Sequence, residues 1–296
     1  MVQIQAPADV TNEQIADALK KAGVSDVRPA TPADSRVLVE NRLMSIFDGK
    51  VDATKNPKGA DREASLQRIK DKYGITPDDV IVTTGASDRI ETRLSPEGAQ
   101  KIVAATGSPT AIKHNITIPG FYGNSSTPEE QFESRTDWLS KLIGTPQGGL
   151  LSTTTRWTEG IGASGMSSSA DVGTGGADYV FTKPVKITDA KEFGTNGVVM
   201  YFDPVKLYQR LDFYANSGDN FGKRQVNQDV INAAKVGAYE LMFKHRISFD
   251  DLDSIVVANQ ATRTAVIQKL RQMGVDQIGG RPLEAVIIIG SQVNPN

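Results

Sequence analysis

A glutamate within an apolar segment is the residue of this sequence whose position most suggests chemistry. Glu240 stands in KVGAYELMFKHRI, residues 235–247, where most neighbours at strand spacing are apolar. A carboxylate in such surroundings resists ionisation unless a basic side chain or a ligand cation lies beside it. Glu240 is therefore either an edge residue, paired for instance with Lys235, or a functional group that the strand exists to hold.

The composition removes several classes of site. The chain has 296 residues, no cysteine and only two histidines, His114 and His245. Disulfide frameworks, thiolate zinc sites and cysteine nucleophiles are excluded, and histidine-rich metal centres are disfavoured. Lysine and arginine number 33 against 35 aspartates and glutamates. The overall charge therefore gives no strong signal of nucleic-acid or anionic-membrane binding.

The N-terminal segment shows no targeting signal. MVQIQAPADV lacks a basic region followed by an apolar stretch, and no apolar run reaches the roughly 18 residues that span a bilayer. We expect a soluble protein without a signal peptide or a transmembrane segment, either cytoplasmic or delivered as part of a larger assembly.

Helix signals dominate residues 1–108. The signals are capping residues, prolines in first turns and glycines at helix ends. The predicted helices begin at Thr11, at Thr31, at residue 61 and at Ser95. No group of residues in this part has the types and spacing of a catalytic site. We interpret it as a helix-rich domain that serves as a targeting, delivery or inhibitory module.

Short strands and loops alternate after residue 108. Long polar loops at 162–176 and 216–229 are where we expect a ligand, because long loops inside compact domains are more often functional than accidental. Helices are predicted in TPEEQFESRTDWLSKLIG, near 205–215 and at 260–273. Strands are predicted in TAIKHNITIPG, GGLLSTTTRW, GADYVFTKPVKI, GVVMYFDP, AYELMF, DSIVVAN and EAVIIIG.

The order of these segments resembles the ADP-ribosyltransferase family. A strand with a histidine, KHNIT, precedes a helix, a strand with consecutive hydroxyls, LLSTTTRW, a glycine and serine loop, and the strands DYVFTK and AYELMF. The stretches GGADYVF and YELMFKHRI carry most of the resemblance. It implies an α+β fold with a helix-rich domain at 1–108. At 109–296 it implies an ADP-ribosyltransferase-like catalytic domain of two small packed β-sheets around an NAD cleft. Such domains are often found on toxins and phage-encoded effectors.

The resemblance also implies roles for the matching residues that bind NAD. His114 would hold the adenosine ribose, and the main chain of His114 and Ile116 would meet the nicotinamide amide. Ser152 and Thr153 would brace the cleft and hydrogen-bond the catalytic carboxylate. The loop at 162–176 would close over the pyrophosphate, because glycines and serines let main-chain amides approach an anion.

In the same resemblance, cleavage of NAD depends on Glu240. Its carboxylate would hold the 2′-hydroxyl of the nicotinamide ribose and stabilise the cation that forms as nicotinamide leaves. Tyr179 or Tyr201 would offer an aromatic face to the nicotinamide ring. The implied enzyme is an NAD ADP-ribosyltransferase, a pentosyl-transferring glycosyltransferase that consumes NAD as its substrate and needs no metal.

The acceptor of ADP-ribose is left open by the sequence. Members that modify arginine commonly carry a glutamate two positions before the catalytic one, and members that modify asparagine carry a glutamine there. This chain has Ala238, which argues against arginine transfer. The acceptor could then be another protein side chain, a nucleic acid, a small molecule or water. With water as the acceptor, the enzyme would be an NAD glycohydrolase. Candidates for acceptor recognition are Phe221, Arg224 and Gln225.

Two further patterns have plain structural explanations. Asp250, Asp251 and Asp253 resemble a metal cluster, but they follow Ser248 and are better explained by capping, since negative charge is favourable at a helix N-terminus. GTGGAD leads into a strand, so it does not match the glycine fingerprint of a dinucleotide-binding Rossmann domain.

A non-catalytic function is the main alternative. The chain would then be a structural or interaction protein, such as a virion or secretion component, that uses the same scaffold as a binding platform. The distinguishing feature is whether His114, Ser152 and Glu240 converge on one cleft. A Glu240 that points to solvent on the opposite face of the sheet would argue against the enzyme.

Overall fold

A computed structural model describes most of the chain. The described residues are 11–24, 32–48, 59–84, 90–115, 143, 148–160, 171–187, 192–193, 198–216, 231, 234–237, 240–257 and 259–292. They form two compact units: residues 1–101 with 209–211, and residues 102–208 with 212–296. The division after Lys101 lies near the boundary at 108 that the sequence predicts.

The first unit is mainly helical, as its capping signals predict. Thr11 and Gln14 form a complete capping box, and Gly74 ends the third helix in the left-handed conformation at φ 67°. Both features are local, which is why the sequence reveals them. The helices of this unit are α1 (Asn12–Lys21), α2 (Pro32–Phe47), α3 (Ala60–Tyr73) and the first part of α4 (Pro96–Ala105).

Buried carboxylates join α2 to α3. Glu40 accepts hydrogen bonds from Arg36 on its own helix and from Arg62 on α3. Asp48, just after α2, accepts from Ser65 at 2.7 Å and from Arg68. Each carboxylate meets a cation and a second donor, so its burial is compensated. An antiparallel pair, β1 (Val80–Thr84) with β2 (Ile90–Leu94), completes the described part of this unit.

The second unit is built on a seven-stranded mixed sheet. Its strand order is β14-β11-β7-β3-β5-β9-β8, antiparallel except for the parallel pair β11 and β14. The sheet is rich in apolar residues, and β7 is buried along its whole length. Its strands are β3 (Ala111–Asn115), β5 (Tyr179–Val185), β7 (Val198–Phe202), β8 (Phe213–Asn216), β9 (Glu240–Lys244), β11 (Leu252–Val257) and β14 (Ile287–Ile289).

Shorter elements surround this sheet. Two-stranded pairs are formed by β4 (Gly149–Leu151) with β10 (Arg246–Ser248), by β6 (Glu192–Phe193) with β15 (Ser291–Gln292), and by β12 (Gln277–Ile278) with β13 (Arg281–Pro282). The helices are α5 (Thr153–Thr158), α6 (Pro204–Tyr208), α7 (Gln260–Gln272) and α8 (Leu283–Val286).

Strand β5 joins the two halves of the large sheet. Its C-terminal half, residues 183–185, pairs with β3, whereas its N-terminal half, residues 179–182, pairs with β9. β3 and β9 therefore pair with different halves of β5. We call the point between these two halves the β5 junction. His114 is the first residue of β3 beyond the pairing with β5, and Glu240 is the last residue before the pairing of β9 with β5 begins.

The pair of β4 with β10 depends on a glycine. Gly149 has φ 152°, and a Cβ atom there would lie 2.5 Å from the carbonyl oxygen of Ile247. Real Cβ atoms do not approach a carbonyl oxygen so closely, so only glycine allows this pairing. His245 precedes β10 with φ 61°, and its carbonyl accepts from the Ser152 amide at 2.8 Å. The pair thus fixes the position where α5 begins.

The predicted α+β class is confirmed, and three local predictions are wrong. The segment STTTRW is the helix α5 after Ser152, because the Ser152 side chain caps it and overrides the β propensity of the threonines. The helix expected near 205–215 is short and gives way to β8. The segment EAVIIIG begins with the helical turn α8 before β14. Instead of two small packed sheets, the described strands form one seven-stranded sheet with two-stranded pairs beside it.

Candidate functional site

His114 lies at the β5 junction with one ring nitrogen held by the main chain. Its Nδ1 is 2.7 Å from the carbonyl oxygen of Phe181 on β5. A carbonyl only accepts hydrogen bonds, so this contact assigns the hydrogen to Nδ1 and leaves Nε2 as an acceptor in the neutral ring. Burial lowers the pKa of His114 below its ordinary value of 6.5, and the charge of Arg156 lowers it further, while the Phe181 carbonyl opposes both.

This lowered pKa predicts acid sensitivity. Above about pH 6.5 the imidazole is neutral in both the folded and the unfolded chain, so it leaves the free energy of unfolding unchanged. Below that pH the unfolded chain takes up the proton first. The free energy of unfolding therefore falls with pH until the lower folded-state pKa is passed. We expect the His114 Hε1 resonance in an NMR titration to move only below pH 6.5.

The two histidines of the chain allow a matched control. His245→Asn removes one of the two resonances and so assigns the other, and asparagine tolerates the positive φ at that position. His114→Asn keeps a donor near the position of Nδ1 but does not titrate, so its unfolding free energy should depend less on pH between 4 and 6.5 than that of the parent, by ~1 kcal/mol per unit of pKa shift. A His114 midpoint at or above 6.5 would contradict the prediction.

Ser152 and Thr153 begin α5 and are buried. The Ser152 hydroxyl accepts from the Thr155 amide at 3.2 Å and contacts the Thr155 hydroxyl at 2.9 Å. The Thr153 hydroxyl donates to Asp171 Oδ2 at 3.0 Å. Both residues were expected to hydrogen-bond the catalytic carboxylate Glu240. The carboxylate that Thr153 meets is Asp171, which the sequence analysis did not single out.

Arg156 is the second residue that sequence reasoning missed. Its Nη2 donates to the Thr153 hydroxyl at 3.0 Å, while its Nε is buried and has no hydrogen-bond partner within the described part of the chain. Burial lowers the pKa of Arg156, and Asp171 opposes that shift. Burial also raises the pKa of Asp171 against the effects of Thr153 and Arg156. Arg156 still carries its charge at neutral pH.

A helical interpretation of STTTRW would have found part of this cluster. In a helix capped by Ser152, Arg156 lies three residues after Thr153 and on the same side. The distant contact with Asp171 has no comparable signal, because Asp171 follows a polar stretch of serines and alanine. Thr153, Arg156 and Asp171 are joined by hydrogen bonds, and the charge of Arg156 acts on His114. We call these four residues the β5-junction cluster.

Glu240 occupies the other side of β5. It is half-buried at the first position of β9 and pairs with Asn216 on β8. Alternation along the strands assigns Glu240 to the face that carries Lys113 and Lys183, and assigns His114 to the opposite face with Thr182. The main chains of Glu240 and His114 thus flank the β5 junction, while strand alternation directs their side chains to opposite faces. By the criterion stated for the sequence, this arrangement argues against the enzyme.

The two tyrosines proposed to face nicotinamide have different environments. Tyr179 on β5 is half-buried, and its ring meets Tyr214 edge to face with centroids 5.6 Å apart. Tyr201 is 1% exposed and belongs to an apolar cluster with Ala111 and Val256. The suggestion that Tyr201 offers a ring to a ligand is therefore wrong, since its side chain fills the core.

Several expected site residues lie outside the described residues. They are Ile116, Phe221, Arg224, Gln225, Ala238 and most of the loop at 162–176. Residues 171–174, at the end of that loop, are helical. The capping explanation for the aspartates near 250 is confirmed, because the Ser248 hydroxyl accepts from the Asp250 amide at 3.1 Å. In the described ranges, acidic residues and histidines form no metal-binding group.

The β5-junction cluster has the chemistry of a site for a sugar phosphate. The neutral His114 can accept a hydrogen bond from a hydroxyl through Nε2. Arg156 brings a positive charge and an Nε without a partner among the described residues, which suit a phosphate oxygen. Neither His114 nor Arg156 is specific by itself. The buried Thr153 and the half-buried Asp171 beside Arg156 are what favour a polar ligand.

Comparisons with protein-family models, with curated proteins and with solved structures found no match to this chain. None of the described helices is long and apolar enough to cross a bilayer.

Proposed function

We propose that the chain binds NAD and breaks the bond between nicotinamide and ribose, so that ADP-ribose passes to an acceptor. The observations that carry the proposal are the neutral His114, tethered by the Phe181 carbonyl, and the partly buried Arg156, whose charge acts on His114 and whose Nε has no hydrogen-bond partner among the described residues. The ligand would be a ribose that bears a charged phosphate. With water as the acceptor, the same site would act as an NAD glycohydrolase.

In this proposal the two groups divide the binding of NAD. His114 Nε2 accepts a hydrogen bond from a hydroxyl of the adenosine ribose. Arg156 pairs with the pyrophosphate, which gives its Nε an acceptor and adds a second negative group, beside Asp171, to a guanidinium that burial has partly separated from water. Thr153 and Asp171 hold the guanidinium in place in the free protein.

Glu240 supplies the charge for bond cleavage in this proposal. As the bond between C1′ and the nicotinamide nitrogen breaks, its electron pair leaves with nicotinamide and C1′ becomes cationic. A carboxylate beside that cation lowers the barrier because its charge is matched only in the transition state. The acceptor then bonds to C1′ and gives up its proton. The proposal requires the Glu240 side chain to reach the cleft round the β5 junction.

One observation favours a second function, a binding platform that does not cleave NAD. Strand alternation directs Glu240 and His114 to opposite faces of the sheet. If the strands keep this alternation when a ligand is bound, the nucleotide is held by His114 and Arg156 without a carboxylate at C1′. The chain would then bind a nucleotide and leave it intact.

The first test is the affinity for NAD of the parent and of Arg156→Gln, measured by isothermal titration calorimetry. Loss of a charge-assisted hydrogen bond at a buried guanidinium predicts a Kd about 10 to 100 times higher. The control is Arg271→Gln, which removes an exposed arginine paired with Glu284 on the surface of the same unit and should leave Kd unchanged.

The outcomes separate the two functions. Binding of NAD that weakens in Arg156→Gln, with release of nicotinamide by the parent, supports the enzyme. The same binding without release, even when cell extract supplies acceptors, supports the binding platform. Absence of NAD binding by the parent contradicts both, because both depend on the β5-junction cluster.

A further inference from the structure

Two exposed apolar residues directly follow members of the β5-junction cluster in the sequence. Trp157 and Val172 are each 50% exposed, although both belong to the large apolar residues that proteins usually cover. Trp157 directly follows Arg156 and lies one helical turn after Thr153. Val172 directly follows Asp171, which accepts the hydrogen bond of Thr153. Val172 thus adjoins the acceptor of this hydrogen bond, and Trp157 lies on the same side of α5 as its donor.

The neighbouring charges restrict what could cover this surface. The other arginine near α5, Arg246, is already paired with Glu159 at the end of the helix. Among the described residues, Arg156, which directly precedes Trp157, is an arginine whose Nε has no hydrogen-bond partner. A ligand that satisfies both residues must carry an anionic group next to a flat apolar group. A nucleotide has this combination, since its phosphate and its base are joined through a ribose.

From this arrangement we infer that Trp157 stacks on the adenine of the nucleotide whose phosphate Arg156 binds, with Val172 as the apolar wall beside the base. The inference rests on the proposed function, because it takes an ADP-ribosyl nucleotide as the ligand of the cluster. It adds a base-binding subsite on α5, formed by the half-exposed indole and positioned by the same helix that carries Arg156. An aromatic side chain binds a base through its face and needs no polar contact with it.

The test compares ligands with and without the base on three proteins. ADP-ribose and AMP carry adenine, and ribose 5-phosphate does not. Trp157→Ala should raise the Kd for ADP-ribose and AMP roughly 5- to 150-fold, the loss expected for one stacked base, and should leave the Kd for ribose 5-phosphate unchanged. Trp157→Phe keeps a ring, so it should retain most of the affinity.

Tryptophan fluorescence gives an independent readout. AMP should quench the emission of the parent, and Trp157→Phe should lose this quenching although it still binds AMP. Retained binding by Trp157→Phe also shows that the variant is folded. Equal Kd values for ADP-ribose in the parent and Trp157→Ala would overturn the inference. So would altered self-association of Trp157→Ala with unchanged nucleotide affinity, which would assign the exposed ring to a contact between copies of the chain.

Nicotinamide release from NAD, measured on the same samples, separates this inference from the proposed function. Release by the parent together with an unchanged Kd in Trp157→Ala means that the enzyme stands and the base subsite fails. Quenching by AMP without any release means that the subsite stands and the enzyme fails. No binding of AMP, ADP-ribose or NAD overturns both.

Discussion

Replacement of Glu240 by glutamine should reduce the rate of nicotinamide release from NAD by about 100-fold or more, because one preorganised charge is removed from the transition state. Glutamine keeps the shape of the side chain and can still hydrogen-bond a ribose hydroxyl. The Kd for NAD should therefore change much less than kcat. The measurement is the initial rate of nicotinamide release under saturating NAD, with Kd determined separately by calorimetry.

Glu284→Gln is the matched control for this prediction. Glu284 lies in the same unit on α8, is 46% exposed and pairs with Arg271 on the surface, so its loss should leave the rate unchanged. Equal rates for the parent and Glu240→Gln would remove Glu240 from catalysis. The proposed cleavage would then need another carboxylate, and Asp171 is the one that the described cluster contains.

Replacement of Gly149 by alanine should destabilise the folded chain by about 2 to 5 kcal/mol, the sum expected for overpacking and backbone strain. The added Cβ would lie 2.5 Å from the Ile247 carbonyl oxygen at a φ of 152° that favours glycine. Relief of the overlap must separate β4 from β10. Because the Ser152 amide bonds the His245 carbonyl next to this pair, the start of α5 would move with it. Urea unfolding measures the loss.

Gly173→Ala is the control for the glycine prediction. A Cβ at Gly173 meets nothing within 4 Å, and the residue is helical, where alanine is favoured over glycine by about 1 kcal/mol. Its stability should be equal to that of the parent or slightly higher. If Gly149→Ala unfolds at the same urea concentration as Gly173→Ala, the close approach of β4 to β10 is not required by the fold.

The two glycines also connect stability with function. If Gly149→Ala shifts α5 as expected, its affinity for NAD should fall, since Arg156 lies on that helix. Trp157 would move by the same displacement. Gly173→Ala should leave both affinity and stability intact.

Features that depend on residues close together in the chain could be predicted from the sequence. The Thr11–Gln14 capping box and the left-handed Gly74 were predictable because caps are interactions within one helical turn. The apolar run of β7 and the aromatic and β-branched residues of β5 and β9 predicted strands at the right places, since such residues favour strands. The same reasoning predicted the α+β class and correctly explained Asp250 by capping rather than by a metal.

Which side chains share a site follows from the fold. The long-range pairing of β4 with β10 stops at Leu151, and this decides where the local Ser152 cap can begin α5 in STTTRW. Chain crossings and strand register decide three features of the site. They are the hydrogen bond of Thr153 with Asp171, the burial of Tyr201 and the face on which Glu240 lies. A register shift of one residue reverses every side chain of a strand without changing its composition. His114 and Thr153 could therefore be selected from the sequence, while the participation of Arg156 and Asp171 and the convergence of the side chains could not.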